Sequence, residues 1–313
     1  MNNIELDYLQ KYISLEGESL TDKKINEIKN CIKCGKMPNP GGNYNFLMGN
    51  NLLNLKKDVT DKRDYLLEKT PLVAGQVIDW TKSMSPVKNQ GRLGSCVGFA
   101  ISAMKEWQEQ KEHAEEVAEG KKNHRDQKYY DLSEQWVYYM CKKIDPWPGQ
   151  EGTSIRVAMK VLQKIGVPTE KAWPYNDVVR GEPAVWANLV ARWSQIGAYW
   201  RVRNLTELRA ALVNGPVVIG IPCFEEIFSV GKNGFITYPK NPDRIYGGHA
   251  ICAVGFDDGR KLVKFKNSWS KKWGKKGYGF LPYKYIQDFL WDAWAARDLN
   301  VTKKMLKGTR ELI

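Results

Sequence analysis

Cys96 lies in the string NQGRLGSCVGFA (89–100), His249 in GGHAICAVGFDD (247–258) and Asn267 in KFKNSWSKKWGKKGYG (264–279). A thiol attacks a carbonyl only as its thiolate, which needs a helix N-terminus, an imidazolium or both nearby. Gly91 and Gly94 form a tight turn, Ser95 is a candidate cap, and residues 97–107 have the apolar pattern of a buried helix. Cys96 is therefore expected at the positive end of that helix. Of three histidines, His113 and His124 lie in a charged run, whereas His249 follows two glycines and opens an apolar strand. His249 is the candidate base, with a core histidine as the alternative. Asn267 would accept a hydrogen bond from the imidazole and orient the ring, or else cap a loop. Gln90 would aim its side-chain N–H groups at a developing oxyanion, together with the Cys96 backbone N–H. Trp269 is expected to shield the His–Asn hydrogen bond, with Trp273 beside it, though both indoles could be ordinary core. Cys252, inside the apolar strand, reads as a small buried hydrophobe.

These strings together resemble the papain-like cysteine peptidases, whose cysteine signature carries the histidine and asparagine far downstream. The match at the cysteine is partial: GSC is present, Leu93 stands where the family has a cysteine, and Val97 replaces an aromatic. VIDWTKSMSPVKNQG (77–91), LSEQ (132–135), KAWPY (171–175), ALVNGPVVIGI (211–221) and the NSW…WG…GYG block follow in the family's order. The resemblance covers roughly residues 58 to 290. It implies an α+β, two-lobe fold, with a helical lobe, a strand-rich, β-barrel-like lobe and the active site in the cleft between them. It also implies a cysteine endopeptidase working through a Cys96 acyl-enzyme, with His249 as base and acid. An exopeptidase or transpeptidase on the same scaffold, or a structural module in an assembly, are the alternatives. Along the substrate the resemblance places Gly152, Thr153, Ser154, Gly248, Ala250 and Trp269. Thr153 stands where the family has the second glycine of a pair and narrows the groove beside Ser154, while Ala250 leaves the adjoining pocket open to an apolar side chain. No cofactor or metal is expected at this site. Leu93 removes the family's site-adjacent disulfide, which favours a reducing compartment over secretion.

The elements that must position these residues are legible in outline. Helices are expected from Cys96 to about 119, over 132–142 and 154–165, and over 205–214. Strands are expected at 196–202, 216–221, 234–238, 249–256, 262–267 and 277–283, with an amphipathic closing helix over 284–299. Residues 58–299 form the peptidase domain and 300–313 a basic tail. Residues 1–57 form a leader that either inhibits, as a pro-segment would, or docks as an arm. Within it Cys31 and Cys34 are half of a zinc site with no second pair.

With 313 residues and 42% hydrophobic content the chain can bury a large core. No apolar run is long enough to span a membrane, and the first residues lack the pattern of a signal peptide. The expectation is therefore a cytoplasmic protein, or one held in a larger assembly, acting on a protein or peptide substrate. The net charge of +13 comes without a nucleic-acid-binding motif. It indicates either a solvated surface or attraction to acidic substrates or an acidic assembly partner.

Overall fold

The computed structural model describes residues 47–48, 51–61, 64–65, 72–120, 130–177 and 181–299. The expectations for Cys31 and Cys34, for His124 and for the tail from residue 300 fall outside the described residues. A short hairpin, β1 (Leu47–Met48) with β2 (Asn51–Leu52), precedes an extended stretch. β3 (Val77–Asp79) then leads to α1 (Cys96–Ala118). α1 is buried as far as Glu109, and beyond it the charged continuation faces outward, as its composition requires. Two further helices pack on it. α2 (Glu134–Ile144) is capped by Ser133, whose hydroxyl accepts the Trp136 N–H, and α3 (Ile155–Lys164) is capped by Ser154 through the Val157 N–H. α4 (Val185–Ala191) completes the helical lobe.

The second lobe is an antiparallel sheet. β4 (Ile196–Arg201), α5 (Leu205–Asn214), β5 (Val217–Cys223), β6 (Gly247–Asp257), β7 (Leu262–Lys266), β8 (Tyr278–Pro282), α6 (Tyr283–Phe289) and β9 (Asp292–Asp298) follow in order. The strands lie β4-β9-β5-β6-β7-β8, with β3 paired to β6. Two expectations need correction here. The expected barrel-like lobe is an open sheet in which residues 234–236 cover the outer edge of β8, through Ile236 N–H to Phe280 O at 3.0 Å and Phe280 N–H to Gly234 O at 2.8 Å. That pairing is a bridge at Phe235 rather than the strand expected over 234–238, because Gly234 at φ +78° turns the chain. The closing helix over 284–299 is really α6 followed by β9. Its aromatic spacing fits a helix, but β9 fills the slot between β4 and β5 and satisfies the backbone of both.

One apolar cluster, including Cys96, Trp136, Met159 and Ala250, lies beneath the helices, and another, including Ile219, Phe265 and Leu281, lies on the sheet side. A buried charged network ties the lobes together behind the cleft. Lys88 meets Asp131 at 2.5 Å, Glu134 at 2.6 Å and Glu106 at 3.3 Å, and Lys266 donates to Ser85 at 2.8 Å. Lys88 is held well above its ordinary value by Glu106 and Glu134 against the penalty of burial, so it stays charged. Such a network adds less to stability than to a fixed register, because desolvation offsets much of the Coulomb gain.

Candidate active site

Cys96 opens α1 in the turn 91–94, where Gly91 takes φ +57°. Ser95 does not cap the helix: its hydroxyl is 2.7 Å from the Tyr175 hydroxyl, which also donates to Gln90 O at 2.6 Å. The first α1 N–H groups and the Ala250 N–H of β6 point at the Cys96 thiol. Helix start and strand therefore meet here, and His249 is the residue just before Ala250. His249 Nε2 lies 2.8 Å from Asn267 Oδ1, and the same oxygen accepts the Ser268 N–H at 2.8 Å. An oxygen that takes a backbone N–H must be an acceptor for the ring as well. Nε2 therefore carries the proton and Nδ1 keeps the lone pair, a tautomer assigned from this network. Among the described residues Nδ1 is buried with no hydrogen-bond partner, which is the state of a base awaiting a proton. Trp269 stacks on the ring with centroids 4.6 Å apart and shields the His–Asn bond, and Trp273 meets Trp269 edge-on.

Gln90 is reached from the other lobe. Its backbone N–H donates to Ser268 O at 2.9 Å, its Nε2 donates to Leu93 O at 3.1 Å, and its Oε1 accepts the Ser268 hydroxyl at 2.6 Å. The Leu93 carbonyl, which can only accept, fixes which end of the amide is NH₂ and leaves Oε1 for the Ser268 hydroxyl. Ser268 and Tyr175 escaped the sequence reading. Ser268 sits next to Asn267 in the NSW string, and that adjacency was the available signal.

The leader occupies the cleft. Residues 53–56 pass between the lobes, with Leu55 N–H donating to Gly248 O at 2.9 Å and Lys56 N–H donating to Thr153 O at 3.0 Å. Leu53 and Leu55 are almost completely buried, one in the sheet-side cluster and the other in the helical one. Leu55 lies against Gly220, Gly248 and Ile155, where a Cβ on either glycine would collide with it. Asn54 turns its backbone N–H toward the Cys96 thiol, and its carbonyl oxygen lies on Gly152, whose φ of +83° and missing Cβ leave the room. Among the expected substrate-side residues, Gly152, Thr153, Gly248, Ala250 and Trp269 all come to the cleft. Ser154 is committed to capping α3 instead.

Under this cover the reactive pair is dry. Burial pushes the Cys96 thiol up to about 11, against the pull of the surrounding N–H groups, and draws His249 down to about 4 despite its bond to Asn267. Burial beneath the leader thus works against the charged form of both groups and opposes the expected thiolate–imidazolium pair.

A family model described as "Papain family cysteine protease" matches residues 74–285. The chain belongs to the papain family of cysteine proteases. Among curated proteins it is 31% identical over 227 residues to "Uncharacterized peptidase C1-like protein L477" of Acanthamoeba polyphaga mimivirus, covering 68% of this chain and 69% of that one. It is 29% identical over 241 residues to Cysteine proteinase 1 of Entamoeba histolytica, covering 73% and 70% of the two. Among solved structures, Xylellain, a cysteine protease from Xylella fastidiosa, superposes with TM-score 0.67 at 27% identity, covering 79% of this chain and 96% of that one. The papain-like fold and cysteine-type peptidase chemistry expected from the sequence are thus both met.

Proposed function

We propose that the protein is a cysteine endopeptidase whose leader holds it inactive. Cys96 attacks the substrate carbonyl, His249 passes the thiol proton to the leaving amine and later activates water, and Asn267 keeps the ring oriented. Gln90 and the Cys96 N–H receive the oxyanion, a contribution of about 3 kcal/mol per donor in comparable acyl-transfer sites. One observation supports the choice of endopeptidase: residues 53–56 lie between the lobes, and the chain runs on past Asn54 in both directions from the thiol. A cleft open at both ends accepts the middle of a polypeptide, whereas an exopeptidase blocks one end.

The leader escapes cleavage because it presents an N–H to the thiol and turns its Asn54 carbonyl to Gly152. Attack requires the reverse, with the carbonyl carbon at the thiol and its oxygen at Gln90. The four described cysteines, Cys96, Cys141, Cys223 and Cys252, are free thiols, which supports a reducing compartment.

The test uses a protein carrying a specific cleavage site within residues 66–71, cut after folding. Peptides blocked at both ends should be hydrolysed, and a thiol-reactive epoxide should modify Cys96 as judged by mass spectrometry. Hydrolysis confined to peptides with a free terminus would end the endopeptidase reading. A folded, cut sample that neither reacts at Cys96 nor hydrolyses any peptide would leave a structural module.

A further inference from the structure

The segment that enters the cleft runs on as leader past residue 57, its expected end, and three residues beyond Leu55 the Asp58 carboxylate sits in a socket built by the rest of the chain. Asp58 Oδ2 accepts the Arg156 backbone N–H at 3.0 Å, at the N-terminus of α3, and the Trp294 Nε1–H at 3.1 Å. Asp58 and the indole are both buried, Trp294 completely. The Arg156 and Arg201 guanidinium groups lie over the Trp294 ring, 5.2 and 5.4 Å from its centroid. Further leader carboxylates use the same two arginines. Asp64 meets Arg156 at 2.6 Å and Arg201 at 3.3 Å, and Asp61 meets Arg156 at 3.5 Å. The socket's own acid is Asp292, which is bonded to Arg201 at 3.0 Å and accepts the Asp58 N–H at 2.8 Å.

None of these donors belongs to the reacting group, and all but the Asp58 N–H belong to the catalytic portion. When the leader departs, a helix N-terminus, an indole N–H and two guanidinium groups facing one carboxylate remain, with a net charge of +1. Donors arranged in this way favour a carboxylate strongly, because the Arg156 N–H and the indole lose Asp58 while the two guanidinium groups lose Asp61 and Asp64 when the leader departs. Along the chain the socket follows the apolar pocket of Leu55 by three residues, at most about 10 Å of backbone.

We infer that the uncovered cleft carries an acidic subsite, formed by Arg156, Trp294 and Arg201, and selects peptide substrates with an aspartate or glutamate three residues from an aliphatic anchor. The inference rests on the endopeptidase reading for its consequence but not for its binding chemistry. It gives part of the +13 net charge a definite role at the end of the cleft.

The experiment uses the full chain with the cleavage site within residues 66–71, cut and freed of the leader at high salt. Paired fluorogenic peptides carry leucine at the anchor and either Asp or Asn three residues away, on each side in turn. One Asp peptide should exceed its Asn partner at least tenfold in kcat/KM at low salt. The ratio should shrink with added salt and fall below threefold in Arg156→Gln/Arg201→Gln. Equal hydrolysis of every Asp and Asn pair would overturn the inference. Binding is read separately, on cut Cys96→Ala protein, by fluorescence anisotropy of a labelled peptide of residues 51–65 and its Asp58→Asn version. Tighter binding of the Asp58 peptide without hydrolysis of any substrate would sink the endopeptidase reading and leave the subsite standing. Equal binding of the two peptides would sink the subsite. Trp294→Phe, which keeps the ring and removes the N–H, should lower the Asp58 preference, and Arg201→Gln serves if that variant does not fold.

Discussion

Replacing Leu55 by alanine tests whether the leader is a seated plug or a passing strand. Leu55 is 5% exposed, wedged over Gly220 and Gly248 and against Ile155. The substitution removes three carbons from an apolar site at about 0.8 kcal/mol each, and the backbone bonds to Gly248 and Thr153 stay in place. The seat should weaken by about 2–3 kcal/mol, toward the lower end of measured Leu→Ala costs because the pocket lies at a seam and can partly close. At about 1.4 kcal/mol per factor of ten, the open fraction rises roughly 30- to 150-fold. If the leader opens and closes faster than an uncharged epoxide reacts, the rate of Cys96 labelling rises by the same factor.

The other thiols make the measurement specific. Cys141 and Cys252 are completely buried inside α2 and β6, so they report unfolding of those elements, and Cys96 reports the cleft. The expected result is faster labelling of Cys96 alone, with Cys141 and Cys252 as slow as before. Unchanged Cys96 labelling would refute the plug. A parallel rise at all three thiols would show that Leu55 supports the fold as a whole and not the cover.

Three further outcomes are expected. The uncovered pair, thiolate and imidazolium, holds as many protons as the covered neutral pair, so Cys96 and His249 together leave covering nearly independent of pH in the weakly acidic range. Asp292, held up at about 6 by burial and by Asp58, favours covering below its ordinary value of 3.8 and loses that contribution as pH rises through about 6. Hydrogen-exchange protection of the Leu55 and Lys56 amides, corrected for intrinsic rates, should therefore fall several-fold per unit as pH rises from 4 to 6, and in Asp292→Asn it should stay nearly flat. Ser268→Ala, which frees Gln90 Oε1, should lower kcat of the uncovered enzyme about tenfold with KM nearly unchanged; a rise in KM alone would remove Ser268 from the positioning of the oxyanion donor. Cys96→Ala should abolish hydrolysis with an unchanged melting temperature, whereas Cys252→Ala should alter stability by about 1 kcal/mol and spare activity; equal loss of activity from both would count against the assignment of the nucleophile.

The reactive residues were legible because each carries its own context: a glycine turn before Cys96, glycines before His249, tryptophans after Asn267. Local pattern also placed α1, α2, α3 and α5 within two residues of their ends, since capping serines and glycine stops are short-range signals. It failed where a long-range partner decides the outcome. β9 carries Trp294 and Ala293 at positions that suit a helix equally well, and only the vacant edges of β4 and β5 select the extended form. The serine at 154 looked like a groove residue because it follows Gly152 and Thr153, but the start of α3 needs its hydroxyl. The seat of the leader was beyond local reading altogether: Leu53 and Leu55 are unremarkable leucines until pockets from two lobes close on them.

The cover acts on the chemistry as well as on access, and the two effects have different physical origins. Steric exclusion comes from residues 53–56 lying where a substrate must lie. The second effect is solvent removal. A thiolate–imidazolium pair is stable only while water and dipoles solvate both charges, and burial of Cys96 and His249 under Asn54 and Leu55 pushes both groups toward their neutral forms. Helix N-terminus and neighbouring N–H groups remain pointed at the thiol, so nothing in the site has to be rebuilt when the leader leaves. Rehydration alone shifts the proton to Nδ1, the ring position that the Asn267 bond already holds unprotonated. The same argument explains why the leader uses leucines at the centre and aspartates at the end. Apolar side chains keep the reactive pair dry, whereas carboxylates next to the pair would stabilise the imidazolium and hold His249 charged. The acids are placed instead three and more residues away, on Arg156 and Arg201, where they anchor the segment without supporting the ion pair it has to suppress.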